Sequence, residues 1–322
     1  MKRRSALLGI AASTLAVPTL LRAQAWPSKP IRLIVGWPAG GSVDTIARLV
    51  QPALQEKLGT PVVIDNRGGA SGAIGARAVA TAPPDGYTWL LVTDAHATNE
   101  SFPVSAVKAL ETFRSASLLA TGPMVLAAHP SAPYKDVREL AAEAKRRPGA
   151  IAYASAGSGG LGHVATVLLE QKGRFKLNHV PFKGGNPALQ AVLGGHVPLF
   201  MANSLLLGPY ARDGRLRALG VGSEKEIPQI PGVTSFIQQG FAGALAETFY
   251  ALVSSAGTPT PMVERMNAAM SDVLRDPGVR DRIDKMGMTV VGGSPDACQR
   301  FLTREVTRWE EVIRENHIKL DA

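Results

Sequence analysis

From Trp26 onward, short β-branched or apolar runs alternate with stretches of helical period. Ile31–Gly36 reads as a strand, and the apolar positions from Val43 to Leu58 fall on one helical face. Pro61–Asp65 reads as a second strand, a helix follows Gly72, and Thr88–Val92 is a third strand. The rhythm then restarts. Lys135–Arg147, Leu161–Lys172 and Pro187–Leu193 are predicted helices, and Ile151–Ala154, Asn178–Pro181 and Pro198–Met201 are the strands between and after them. Such alternation is the signature of a mostly parallel sheet flanked by helices, and its repetition predicts two similar α/β lobes.

The last seventy or so residues differ, with helical patterns at Pro261–Arg275, Pro277–Met286 and Pro295–Asn316. Each opens on a proline, whose missing N–H is harmless in a first turn. A helical tail of this kind is expected to pack on one lobe. Two apolar extended runs, Met124–Ala128 and Thr248–Ser254, are the expected crossings between lobes, so the chain passes to the second lobe and returns. The predicted division is residues 26–125 with 252–322 as lobe one and 126–251 as lobe two. Two crossings make a hinge, and a hinge makes a cleft.

The segment before Trp26 has its own pattern. Lys2, Arg3 and Arg4 precede an apolar stretch from Ala6 to Leu21, closed by Ala23-Gln24-Ala25, which reads as a secretory signal peptide over residues 1–25. The Arg3-Arg4 pair also permits twin-arginine export. Loss of Lys2, Arg3, Arg4 and Arg22 with the leader lowers the net charge from +9 to +5. Aromatic residues are 6% of the chain and the longest basic run is Lys145-Arg146-Arg147, so neither a stacking platform nor a phosphate track for nucleic acid is visible. Cys298 is the one cysteine, which excludes an intrachain disulfide. Six scattered histidines give no metal-ligand spacing, and no cofactor is expected.

Four constellations could carry chemistry. Trp37-Pro38-Ala39-Gly40-Gly41-Ser42-Val43-Asp44 lies between a strand and a helix, where free N–H groups and the helix dipole collect ligands in an open α/β sheet. Ser42 is the expected N-cap and Asp44 falls in the first turn, and a capped turn alone accounts for the same pattern. Tyr153 through His163 occupies the same place in lobe two and formally satisfies GxGxxG from Gly157 to Gly162. The next predicted strand ends in His179-Val180-Pro181-Phe182-Lys183 without the acid that would hold a ribose, so an anion-binding loop is expected rather than a nucleotide site. Ala156-Gly157-Ser158-Gly159-Gly160 also approximates a nucleophile elbow, which keeps a secreted α/β hydrolase with Ser158 as nucleophile as the alternative. The order Ser, acid, His is poorly met, because His179 and His196 follow too closely.

Asn66–Gly72 and Thr93–Asn99 follow strands of lobe one, and Val180–Pro187 with Ala202-Asn203-Ser204 follow strands of lobe two. They are expected to form opposed rims. The expected ligand contacts are therefore Trp37, Ala39, Gly40, Gly41, Ser42 and Asp44; Ala70 and Ser71; Thr93 and Asp94; Ser155, Ala156, Gly157, Ser158 and His163; Lys183 and Gly184; and Asn203.

At these residues the sequence resembles the periplasmic substrate-binding proteins of tripartite tricarboxylate transporters, the Bug family. The resemblance runs from Trp26-Pro27-Ser28-Lys29-Pro30-Ile31 through Pro38-Ala39-Gly40-Gly41, Asn66-Arg67, Pro84-Asp85-Gly86-Tyr87-Thr88, Tyr153-Ala154-Ser155 and Val180–Gly185 to Gly214–Leu219 and Ala256-Gly257-Thr258-Pro259. It implies a two-lobed Venus flytrap of the type II kind that closes on a small carboxylate held by backbone N–H groups and delivers it to a two-component membrane permease. A monomer is expected, although Cys298 could cross-link two chains under oxidation. A periplasmic sensor presenting a closed lobe to a receptor is a further reading. The chain departs from the family at Ala202-Asn203, where many members have Asp-Asn, which argues against an amino-acid ligand. It departs also in a short Glu100–Phe113 stretch and in Ser255, where proline is common.

Overall fold

The computed structural model describes residues 26–102 and 107–320, so the leader lies outside the described residues. Strand β1 (Ile31–Val35), helix α1 (Ser42–Leu58), β2 (Val62–Asn66), α2 (Ala73–Ala80) and β3 (Thr88–Thr93) open the chain. Two single turns, α3 (Ala95–Thr98) and α4 (Ala109–Thr112), lead into β4 (Phe113–Ala128), a strand of 16 residues. Then follow α5 (Val137–Arg146), β5 (Ala152–Ser155), α6 (Leu161–Gly173), β6 (Asn178–Pro181), α7 (Gly185–Leu193), β7 (Leu199–Asn203), α8 (Ser204–Arg212) and β8 (Arg217–Val221). After β9 (Glu247–Ser255) the chain closes with α9 (Thr260–Arg275), α10 (Pro277–Lys285), β10 (Thr289–Val290) and α11 (Pro295–Glu315).

The strands order as β2-β1-β3-β9-β4-β7-β5-β6, with β8 and β10 also on β4. β1 pairs with β2 and β3 in parallel, and β5 with β6 and β7 likewise, whereas every pairing of β4 and β9 is antiparallel. The predicted α/β pattern is therefore present as a mixed sheet. β3 and β9 are buried almost end to end, as strands covered on both faces must be. α1 turns Val43, Ile46, Ala47, Val50, Leu54 and Leu58 inward, the spacing expected of one apolar stripe.

β4 is the shared element. It pairs with β9 from Phe113 to Pro123 and with β7 from Met124 to Ala128. At the change of partner the Met124 amide donates to the Ala246 carbonyl (2.9 Å), the Met124 carbonyl accepts from Gly222 (2.7 Å), and Ala246 donates to Gly222 (2.7 Å). The crossings thus fall at Pro123–Met124 and Ala246–Glu247. Met124–Ala128 lies wholly in the second part of the sheet and Thr248–Ser254 wholly in the first. Apolar run length marked most of β9 but only the end of β4, which begins at Phe113, and the change of hydrogen-bond partner has no signature in hydropathy.

The tail also differs from expectation. α9 packs on α1 and β4, but α11 lies along β4 and α3 and reaches α6 of the second part. Gln171 donates to Glu315 across that contact, and a Cβ added to Gly159 would meet Leu320 and Phe102. Trp309, fully buried, belongs to a core that runs from Ile34 and Leu90 through Leu126 to Tyr153 and Phe236. The two parts share this core because β4 carries it through both.

Candidate ligand-binding cleft

The C-terminal ends of β1, β3, β5, β6 and β7 open on one cleft of about 660 Å³. Cavities of this size hold a small organic ligand. Four helices of eight or more residues begin at it. Gly41, Ser42 and Val43 come from the start of α1, Gly160, Leu161 and Gly162 from α6, Gly184, Gly185 and Asn186 from α7, and Asn203, Leu205 and Leu206 from α8. Each start presents N–H groups without intrahelical acceptors and the positive end of the dipole. The charged lining residues are Asp94, Lys183, Asp213 and Arg215, so side-chain charges balance and the helix starts set the sign of the field.

The β1–α1 loop is held from behind. Asp44 is 2% exposed; its Oδ2 accepts from the Gly40 amide (2.8 Å) and Arg48 Nε (2.8 Å), and its Oδ1 accepts from Asn66 Nδ2 (3.1 Å). Burial alone would raise this carboxyl, but Arg48, Gly40 and Asn66 together hold it below the usual range. Asp44 is not a lining residue, and its work is to fix the loop. Ser42 is not the N-cap. Gly41, extended at φ −79° and ψ 174°, occupies that place without a side-chain bond, and Asp44 reaches back to Gly40 instead. The Ser42 hydroxyl is left for the cleft floor, within reach of Tyr250.

The β5–α6 loop has a similar backing. Ser155 is fully buried, donates to the Gly157 carbonyl (3.0 Å), accepts from the Gly157 amide (3.2 Å) and lies 2.7 Å from His179 Nε2. His179 stacks between Tyr153 and His163, with centroids 5.0 and 3.8 Å away, and His163 Nδ1 accepts from Gly159. The Gly184 amide donates to Ala156, tying the β6–α7 loop to this one.

Of the expected contacts, Trp37, Ala39, Gly40, Gly41, Ser42, Ser71, Thr93, Asp94, Ala156, Gly157, Lys183, Gly184 and Asn203 line the cleft. Asp44, Ala70, Ser155, Ser158 and His163 do not. Within that lining the Gly40 and Gly157 amides donate to the Asp44 carboxylate and the Ser155 hydroxyl. Sequence reading missed Thr248 and Tyr250 at the start of β9, Met124 and Met201 on β4 and β7, and Tyr210 and Arg215 around the end of α8. Antiparallel β9 enters where its neighbours end, which strand spacing alone does not disclose. Asn203 caps α8 by accepting from Leu206 (3.0 Å), a role its place before Ser204 announces.

Comparison with known proteins decides the family. The pattern described as "Tripartite tricarboxylate transporter family receptor" matches residues 46–318. The chain belongs to this receptor family. BugT of Bordetella pertussis is 33% identical over 323 residues, spanning 99% of both chains. An R. palustris protein solved with adipate is 31% identical, with a TM-score of 0.85 over 91% of this chain and 99% of that one. MatC from Rhodopseudomonas palustris, solved with bound malate, is 30% identical, with a TM-score of 0.82 over 89% and 100%. The chain shares its two-lobed binding-protein fold with these relatives, and the family does not favour the hydrolase alternative, whose Ser158 is not a lining residue.

Proposed function

We propose that this receptor captures a small organic acid in the cleft and hands it to a two-component membrane permease, without chemical change to the acid. The observation that carries the reading is the convergence of α1, α6, α7 and α8 on one cavity with no net side-chain charge. Oriented N–H groups bind an anion without the cost of burying a cation beside it. The acids held by two relatives, adipate and malate, have this chemistry. Leucines 161, 205 and 206 with Trp37 and Tyr210 offer an apolar wall for the carbon skeleton.

The receptor works in the periplasm as a monomer, its leader removed near Ala25. The lobes that close on the acid are residues 26–123 with 247–322 and residues 124–246, turning about the Met124–Gly222–Ala246 junction. Ligand contacts with both lobes would shift the population to the closed state.

A thermal-shift series on residues 26–322, unfolded and refolded to strip carried ligand, tests this with succinate, malate, adipate, citrate, benzoate and their amides. A ligand bound only by the folded state stabilises by about 2.7 kcal/mol at a hundredfold excess over Kd. A saturable shift with an acid and none with its amide is the expected result; no shift with any acid overturns the reading.

A further inference from the structure

The cleft holds a carboxyl group of its own. Asp94 follows β3 and lines the cavity, and the Thr248 hydroxyl of β9 donates to its Oδ1. The groups around it are uncharged: Thr248 and Tyr250 from β9, Ser42 from α1 beside that tyrosine, and His96 in α3, which burial drives toward its neutral form. No lysine or arginine among the described residues forms an ion pair with Asp94. An ionised Asp94 is therefore supported by the Thr248 hydroxyl and its own backbone amide, with no cation paired to it among the described residues, in a cavity otherwise arranged for a ligand's negative charge.

We propose that Asp94 enters the complex as a neutral carboxylic acid that donates a hydrogen bond to the captured carboxylate, so that capture takes up one proton from solvent. This rests on the organic-acid reading above. Two carboxylates in one desolvated site cannot both stay ionised, and the proton settles on the one whose charge is less well supported. Here the ligand's charge has the helix starts, and Asp94 has the Thr248 hydroxyl and its own amide. The proton comes from water, is held on Oδ2, and no other bond forms or breaks. Burial already raises the free carboxyl to about 6, so near neutral pH most molecules must gain this proton on binding. Asp94 thereby selects a hydrogen-bond acceptor at its side of the cleft and rejects an ammonium group, which would need it ionised.

Isothermal titration at pH 7 in buffers of small and large ionisation enthalpy counts the protons, using the acid of the panel with the largest thermal shift. The expected count is close to one, with Kd rising about tenfold per pH unit above the free pKa. Asp94→Asn keeps a donor and is expected to bind with no proton uptake and a pH-independent Kd. Thr248→Val removes the donor that supports the charged form and moves the fall in affinity to higher pH. Wild-type binding without uptake overturns the proposal alone, as does uptake that persists in Asp94→Asn, or a folded Asp94→Asn that no longer binds. No heat with any acid overturns the receptor reading and the proposal together.

Discussion

Asp94 in the unfolded chain releases its proton near 3.8 and in the folded chain near 6, because burial penalises the charged form more than the Thr248 hydroxyl and the Asp94 amide support it. Below the lower value both states are protonated and stability is unaffected. As pH rises between the two, the folded state retains a proton that the unfolded state has lost, and stability falls. Asp94→Asn is thus expected to stabilise the ligand-free protein by about 3 kcal/mol at pH 7 and by almost nothing near pH 3, as thermal melts would show. His96 works in the opposite direction. Its ring lies tilted against Phe113 with centroids 5.1 Å apart, its Nε2 is buried without a hydrogen-bond partner, and burial pushes the imidazole down to about 4 from 6.5. The unfolded chain takes up a proton that the folded chain refuses, so stability is complete above 6.5 and is lost as pH falls toward 4. Because the two effects oppose each other between pH 4 and 6, Tm of the wild type should change little there, and in His96→Gln it should fall as pH rises.

At the scale of the element, the cleft depends on how each strand-to-helix turn is braced. Asp44 ties the Gly40 amide, Arg48 and Asn66 together, and Asp44→Ala would leave these donors without their acceptor. A loss of about 2 to 4 kcal/mol is expected, together with weakened acid binding, since the start of α1 loses its fixed position. Urea unfolding of the free protein and titration of the acid would measure the two effects separately. α6 is set by close approach instead. A Cβ on Gly162 would stand 2.5 Å from the Met201 carbonyl, so Gly162→Ala must push the helix away from β7. That displacement moves the start of α6 within the cleft, and a larger Kd with a lower Tm is the expected signature.

For the molecule as a whole, one long strand both divides and joins the structure. Gly222 shares the crossing with Met124 and Ala246, and a Cβ there would meet the Ala246 carbonyl at 2.4 Å. Gly222→Ala should therefore disturb the junction itself, where Met124 also lines the cleft. Small-angle scattering with and without the acid is expected to show a smaller change on binding than in the wild type, with affinity reduced. Other ties cross between the two parts: Ser204 donates to the Gly287 carbonyl (2.8 Å), Gln229 donates to Asp284 (2.8 Å), and the segment after α11 reaches Gly159. Closure about the junction must keep or exchange these ties.

Local chemistry determined much of this in the sequence. Short apolar runs placed β1 and β3, and helical period placed α1, α6 and α11, because each buries one stripe or run whatever its neighbours are. Glycine-rich turns after strands marked β1–α1, β5–α6 and β6–α7 as a rim, since only such turns bring backbone and helix starts near a ligand. Tertiary structure decided the rest. It made Asp44, Ser155 and His163 braces instead of contacts, because their partners, Asn66 and His179 among them, lie on other strands. It also brought Thr248 and Tyr250 beside Asp94, across more than 150 residues of chain, through the antiparallel register that pairs Val92 with Ala251 and Thr93 with Tyr250. Pairing between distant strands is fixed by the shared core and not by any local signal, so the floor of the cleft exists only once the sheet is complete.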